Sequence, residues 1–73
     1  MELVPSSHWR RKRQYRSDIT DDIIEYAIAN CPAMRDRRWH NTLNIICRVP
    51  PSGRILNGVY RKLGPHAVKV VTA

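Results

Sequence analysis

Nowhere in the 73 residues does an apolar run approach the roughly 20 residues that a helix needs to cross a bilayer. Leu43 to Cys47, among the longest, is already broken by Asn44, so no membrane partner is expected. The N-terminus, Met1-Glu2-Leu3-Val4-Pro5, lacks the apolar segment of a secretory signal, which points to a cytoplasmic chain. Cysteine is scarce, with Cys31 and Cys47 alone; the two could pair, but without a signal they are read as reduced, buried thiols. No CxxC or HxxxH cluster exists, so neither a metal nor a cofactor is expected. Acids are few as well: six Asp and Glu stand against thirteen Lys and Arg, a net charge of +7. A field of that sign draws polyanions. Nucleic acid is the leading partner, and an acidic protein the second.

What remains is a small folding domain. A chain of this length buries only about 60% of the surface its unfolded form exposes, yet 42% hydrophobic residues suffice for a small core and exclude disorder throughout. The expectation is a single domain over residues 1–73, with residues 1–6 a flexible N-terminus and no repeat, linker or low-complexity segment.

The basic opening Ser7-His8-Trp9-Arg10-Arg11-Lys12-Arg13-Gln14-Tyr15-Arg16 contains no acid, glycine, proline or β-branched residue. With Ser6 or Ser7 as cap it predicts a helix from about His8 to Arg16. His8, Lys12 and Arg16 then share one stripe, and Trp9, Arg13 and Arg16 the neighbouring one. Trp9 and Tyr15 alone are available to dock it. A second helix is announced by Thr20 as cap and by Asp21 and Asp22 in the first turn. Its apolar stripe is Ile23, Ile24, Ala27, Ile28 and Cys31, with Asn30 in the left-handed position at its end and Pro32 blocking continuation.

Beyond Pro32 the period changes to two. Ala33 to Asp36 reads as a short edge strand, followed by a basic cluster of Arg35, Arg37 and Arg38 before Trp39 and His40. Thr42 to Val49 alternates as a half-buried strand. Pro50-Pro51-Ser52-Gly53 is a turn, Arg54 to Leu63 a strand with Gly58 suggesting a bulge, Gly64-Pro65 a turn, and His66 to Thr72 a last strand. The expected fold is α+β: two N-terminal helices packed on a three- to four-stranded antiparallel sheet.

Cleavage of RNA through its 2′-hydroxyl needs a base, an acid for the leaving oxygen and cations for the phosphorane, all available from His, Tyr, Arg and Lys without metal. Candidates are His8, His40, His66 and Tyr60, with Arg61, Lys62 and Thr72 nearby in sequence. Each also has a plainer role. His66 is a turn residue at a strand start, Tyr60 a core or cross-strand packing group, His8 and His40 solvated histidines, and the arginines a solvated face.

The His-headed basic helix, the Ile19-Thr20-Asp21-Asp22-Ile23-Ile24 entry to the second helix and the closing Val68-Lys69-Val70-Val71-Thr72 together resemble the small toxin ribonucleases of the RelE and BrnT kind, within the barnase, EndoU, colicin and RelE superfamily. Short domains of that group open with His, then Arg four and eight residues on, then Ile-Thr, and close on a strand ending in Thr or Ser. His8, Lys12 and Arg16 match that opening with Lys in the middle place, and Thr72 matches the close; a second register puts Trp9 and Arg13 there instead. The resemblance implies a RelE-like fold, metal-free RNA cleavage, and an acidic antitoxin or immunity protein as partner, with the ribosome a further one. In that reading His8, His66, Tyr60 and Thr72 are catalytic, and Arg11, Lys12, Arg16, Arg61 and Lys62 hold phosphates. The alternatives are a non-catalytic RNA- or DNA-binding module in which Trp9, Trp39, Tyr15 or Tyr60 stacks on bases, and a basic interaction domain for an acidic regulator.

Overall fold

The computed structural model describes all residues from Met1 to Ala73. In chain order the elements are β1 (Glu2–Pro5), α1 (Ser7–Lys12), a 3₁₀ turn (Arg13–Tyr15), α2 (Asp21–Asn30), β2 (Ala33–Arg35), β3 (Thr42–Val49), β4 (Arg54–Gly64) and β5 (Ala67–Thr72). The strands form one five-stranded sheet in the order β1-β5-β4-β3-β2. Strands β2 to β5 are a meander of antiparallel neighbours, whereas β1 runs parallel to β5 at the edge.

The molecule is thus an α+β domain of two short helices and a mixed sheet, which corrects the expected two N-terminal helices on a three- to four-stranded antiparallel sheet. The difference is β1. Residues expected to be a flexible terminus instead pair with β5, Leu3 opposite Val68 and Val4 opposite Lys69. The Glu2 N–H donates to the His66 carbonyl at 2.7 Å and the Ser6 N–H to that of Val70 at 2.9 Å. Leu3 then packs on the core.

Ser6 turns this strand into α1. Its hydroxyl accepts from the Trp9 N–H at 3.0 Å, capping the helix, and donates to the Val71 carbonyl at 2.7 Å, tying the cap to β5. The α-helix stops at Lys12 and tightens into the 3₁₀ turn, shorter than the expected run to Arg16. Trp9 is 1% exposed and fills the core, while Tyr15 is 86% exposed and docks nothing. In α2 the expected signals act as read: the Thr20 hydroxyl accepts from the Ile23 N–H at 3.3 Å, and Ile24 and Ala27 are buried. Its end differs, because Asn30 is not left-handed and its side-chain amide donates back to the Tyr26 carbonyl at 2.9 Å.

One face of the sheet receives the helices. Ile45, Cys47 and Val49 of β3, Leu56 and Tyr60 of β4, and Val68 and Val70 of β5 are buried there with Trp9, Ile24 and Ala27. Cys31, just past α2, is disulfide-bonded to Cys47 in the middle of β3, with Cα atoms 5.7 Å apart. This corrects the reading of two reduced thiols. Spacing alone could not show that the helix end lies over that strand.

No helix covers the other face of the sheet, although Thr42 at one end of it is 1% exposed. Strand alternation turns Thr42, Asn44, Ile46 and Arg48 of β3 toward it, and the exposed Ile46 and Ile55 lie there. Near Gly58 the ladder shifts register: Val59 pairs with Thr72 and Tyr60 with Val70, so Val71 is the extra residue of a bulge.

Candidate nucleic-acid interface

A row of side chains crosses the open face where three strands meet. Thr42 of β3 lies opposite Arg61 of β4, and Arg61 opposite Lys69 of β5. All three point away from the helices because their neighbours Leu43, Tyr60, Val68 and Val70 pack in the core. Like charges directly opposed across a ladder repel. Neither Arg61 nor Lys69 joins an ion pair, those present being Met1–Glu25 and Arg54–Asp18, and the one acid lining the hollow around them, Asp36, bonds to the backbone of Arg38 and Trp39. The Arg61 Nε is moreover buried without a hydrogen-bond partner, which carries a desolvation cost.

Around this pair lies a hollow of about 340 Å³, lined also by Ser6, Asp36, Arg38, Trp39, Thr42, Val59, Val71 and Thr72. One wall is the segment between β2 and β3. The Asp36 carboxylate accepts from the backbone N–H groups of Arg38 at 2.7 Å and Trp39 at 3.0 Å. The Arg38 N–H bond is the main reason its carboxyl titrates below the ordinary 3.8, opposed by desolvation and aided by the Asn44 side chain, the Trp39 N–H and the Arg38 charge. Asn41 takes a left-handed φ of 58°, and the Thr42 hydroxyl donates to the His40 carbonyl at 3.2 Å. The segment is therefore a built turn that holds Trp39 outward, 61% exposed.

At the rim, the Lys12 ammonium donates to the Thr72 hydroxyl at 3.1 Å. The first and last parts of the chain meet there. Of the expected phosphate-binding set, Lys12 and Arg61 come to this neighbourhood. Lys62 lies on the opposite face, opposite buried Val68. Arg16 lines a separate hollow beside Asp18 and the Pro50–Ser52 turn, and Arg11 is exposed on α1.

The expected catalytic set is not brought together. His66 stands at the β4–β5 turn and Thr72 at the far end of β5, a separation of roughly 20 Å at 3.3 Å per residue. Proton transfer needs a donor within about 3 Å. Tyr60 is 5% exposed in the core, and burial raises its phenol above the ordinary 10.0, so it is neutral and inaccessible at physiological pH. His8 is exposed beside buried Trp9, which settles the register of α1: the indole, not the imidazole, faces the sheet. His40 is exposed in the turn that carries Trp39.

Lys69, Thr42 and Asp36 also belong to the hollow without standing among the expected site residues, and Arg38 comes to it from the basic cluster of Arg35, Arg37 and Arg38. A signal existed for Lys69: with Gly64-Pro65 as a tight turn, Arg61 and Lys69 fall near one another across the hairpin. The Leu63 irregularity beside that turn fixes the pairing only in three dimensions.

Four of the six acids, Asp18, Asp21, Asp22 and Glu25, lie in α2 or the segment leading into it. The charge is thereby segregated, and the hollow on the open face has Asp36 as its one acid against Arg38, Arg61 and Lys69. No protein-family model, curated protein or solved structure matches this chain.

Proposed function

We propose that the chain binds RNA through the open face of its sheet, with Arg61 and Lys69 gripping phosphate. The observation that carries this is the opposed Arg61–Lys69 pair, neither member of which joins an ion pair. A phosphate between the two cations relieves their repulsion. Phosphate contacts of this kind release counterions, so affinity falls steeply with salt.

The test is a salt titration of binding to a labelled RNA oligonucleotide. Arg61→Ala and Lys69→Ala are each expected to lower affinity and to reduce the slope of log K against log salt by about 1. The exposed helix residue Arg11, replaced by Ala, should change the slope less. Equal slopes for all three variants would show that binding is spread over the whole basic surface.

Cleavage of the bound RNA is the second reading, and the Lys12–Thr72 contact at the rim of the same hollow favours it. There the Lys12 ammonium would stabilise phosphorane charge. Incubation in EDTA would then yield fragments ending in 2′,3′-cyclic phosphate, while intact RNA with retained binding leaves a binding module. In either case an acidic antitoxin or regulator would meet the same cations and compete with RNA.

No helix is long and apolar enough to cross a membrane. For localisation, the Cys31–Cys47 bond supports an oxidising compartment over the cytoplasm, because such bonds persist where thiols are not kept reduced.

A further inference from the structure

We infer that the RNA taken by this face is single-stranded, with the base next to the gripped phosphate stacked on Trp39; this rests on the open face being an RNA interface. Of the five aromatic residues, Trp9 and Tyr60 are buried and cannot reach a ligand. Tyr15 and Tyr26 belong to the helical layer, away from the cation pair. Trp39 alone shares a hollow with Arg61 and Lys69.

The backbone that carries Trp39 is held on both sides. The Asp36 carboxylate holds the backbone N–H of Trp39 at 3.0 Å, and the Thr42–His40 bond closes the segment on its other side. An exposed indole on a backbone held in this way gains apolar contact when a flat ring covers it. At about 340 Å³ the hollow lies at the small end of the roughly 300–1,000 Å³ range of ligand sites, the scale of one nucleotide.

In a duplex the bases are stacked on one another, and the deep, narrow major groove of A-form RNA shuts out side chains, so an indole has no free base face to cover. In a single strand every base offers a π-face. A phosphate on the cation pair then leaves its own base within the same hollow as the indole. Arg38 also lines this wall and adds a third cation to the hollow.

The protein carries its own reporter, since one tryptophan is 1% exposed and the other 61%. Tryptophan emission is followed during titration with a uridine decamer, and with the same strand annealed to its complement. The single strand should quench the solvent-exposed component and bind at least tenfold tighter than the duplex. Trp39→Ala should weaken single-strand binding roughly 5- to 150-fold with the salt slope unchanged, and Trp39→Phe should recover part of the loss. In Trp39→Ala the remaining emission comes from Trp9, so its buried, blue-shifted signal confirms folding. Equal affinity for both forms, or single-strand binding untouched by Trp39→Ala, overturns this inference while the RNA interface stands. Failure of both forms to bind at low salt overturns both.

Discussion

Replacing Trp9 by alanine is expected to remove about 3–5 kcal/mol of stability, the cost of deleting a large aromatic from a core that cannot collapse around the gap. The whole domain has little more to lose: at roughly 0.05–0.15 kcal/mol per residue, a chain of this length is stable by about 4–11 kcal/mol. Trp9 is the one buried residue of α1, a helix of six residues. So short a helix has no stability of its own. Its place is fixed by the indole beneath it and the Ser6 cap behind it, so Trp9→Ala should both lower the urea midpoint and release α1. The paired control is His8→Ala, one residue away and exposed, for which a change within about 0.5 kcal/mol is expected. Urea denaturation of the two variants decides the matter. A loss below about 1 kcal/mol for Trp9→Ala, or similar losses for both, would mean that the indole is not seated in the core. The same pair bears on chemistry, because a solvent-facing imidazole on this helix has no neighbour to orient it for proton transfer.

Much of the antiparallel part of the sheet is legible in the residues. Thr42–Val49 alternates without interruption, and the segments on either side of Gly64-Pro65 are close enough in sequence for the turn to force their pairing. The opening strand is not. Glu2-Leu3-Val4-Pro5 is too short to show a period, ends in proline, and finds its partner at Ala67–Val70, so nothing local distinguishes it from a loose terminus. The helix signals at Thr20, Asp21 and Asp22 are local chemistry and act where they stand. By contrast, which of His8 and Trp9 points inward depends on where β1 delivers the chain into α1, and that in turn depends on β1. The same dependence governs the candidate site. Arg61 could be named from charge alone, whereas Lys69 acquires its meaning only from the register that sets it opposite Arg61. Trp39 was one aromatic among several until burial removed Trp9 and Tyr60. The Lys12–Thr72 contact is the exception, since both residues were singled out and the fold brings them together across 60 residues of sequence.

Breaking the Cys31–Cys47 bond should lower stability by about 3 kcal/mol, the loop-closure effect for a bridge spanning 16 residues. In a domain of this size that corresponds to a melting temperature lower by roughly 10–25 °C, at about 4–8 °C per kcal/mol. Cys47 is 2% exposed, so a reductant reaches the bond only through local opening, and the Cys31→Ala/Cys47→Ala variant is the direct measurement. The loss should not be uniform. Cys31 lies two residues before β2, whose three paired residues are all exposed and which leads straight into the turn carrying Asp36, Arg38 and Trp39. Without the bond, β2 is held to the sheet by a short edge ladder alone, and one wall of the hollow hangs from it. Amide hydrogen exchange should therefore speed up between residues 31 and 41 more than in β4 or β5. RNA affinity should fall while the salt slope set by Arg61 and Lys69 persists, because those cations stand on β4 and β5. A uniform rise in exchange over all strands would show instead that the bond acts only through global stability. A melting temperature within a few degrees of the unaltered protein would show that it contributes little to the fold at all.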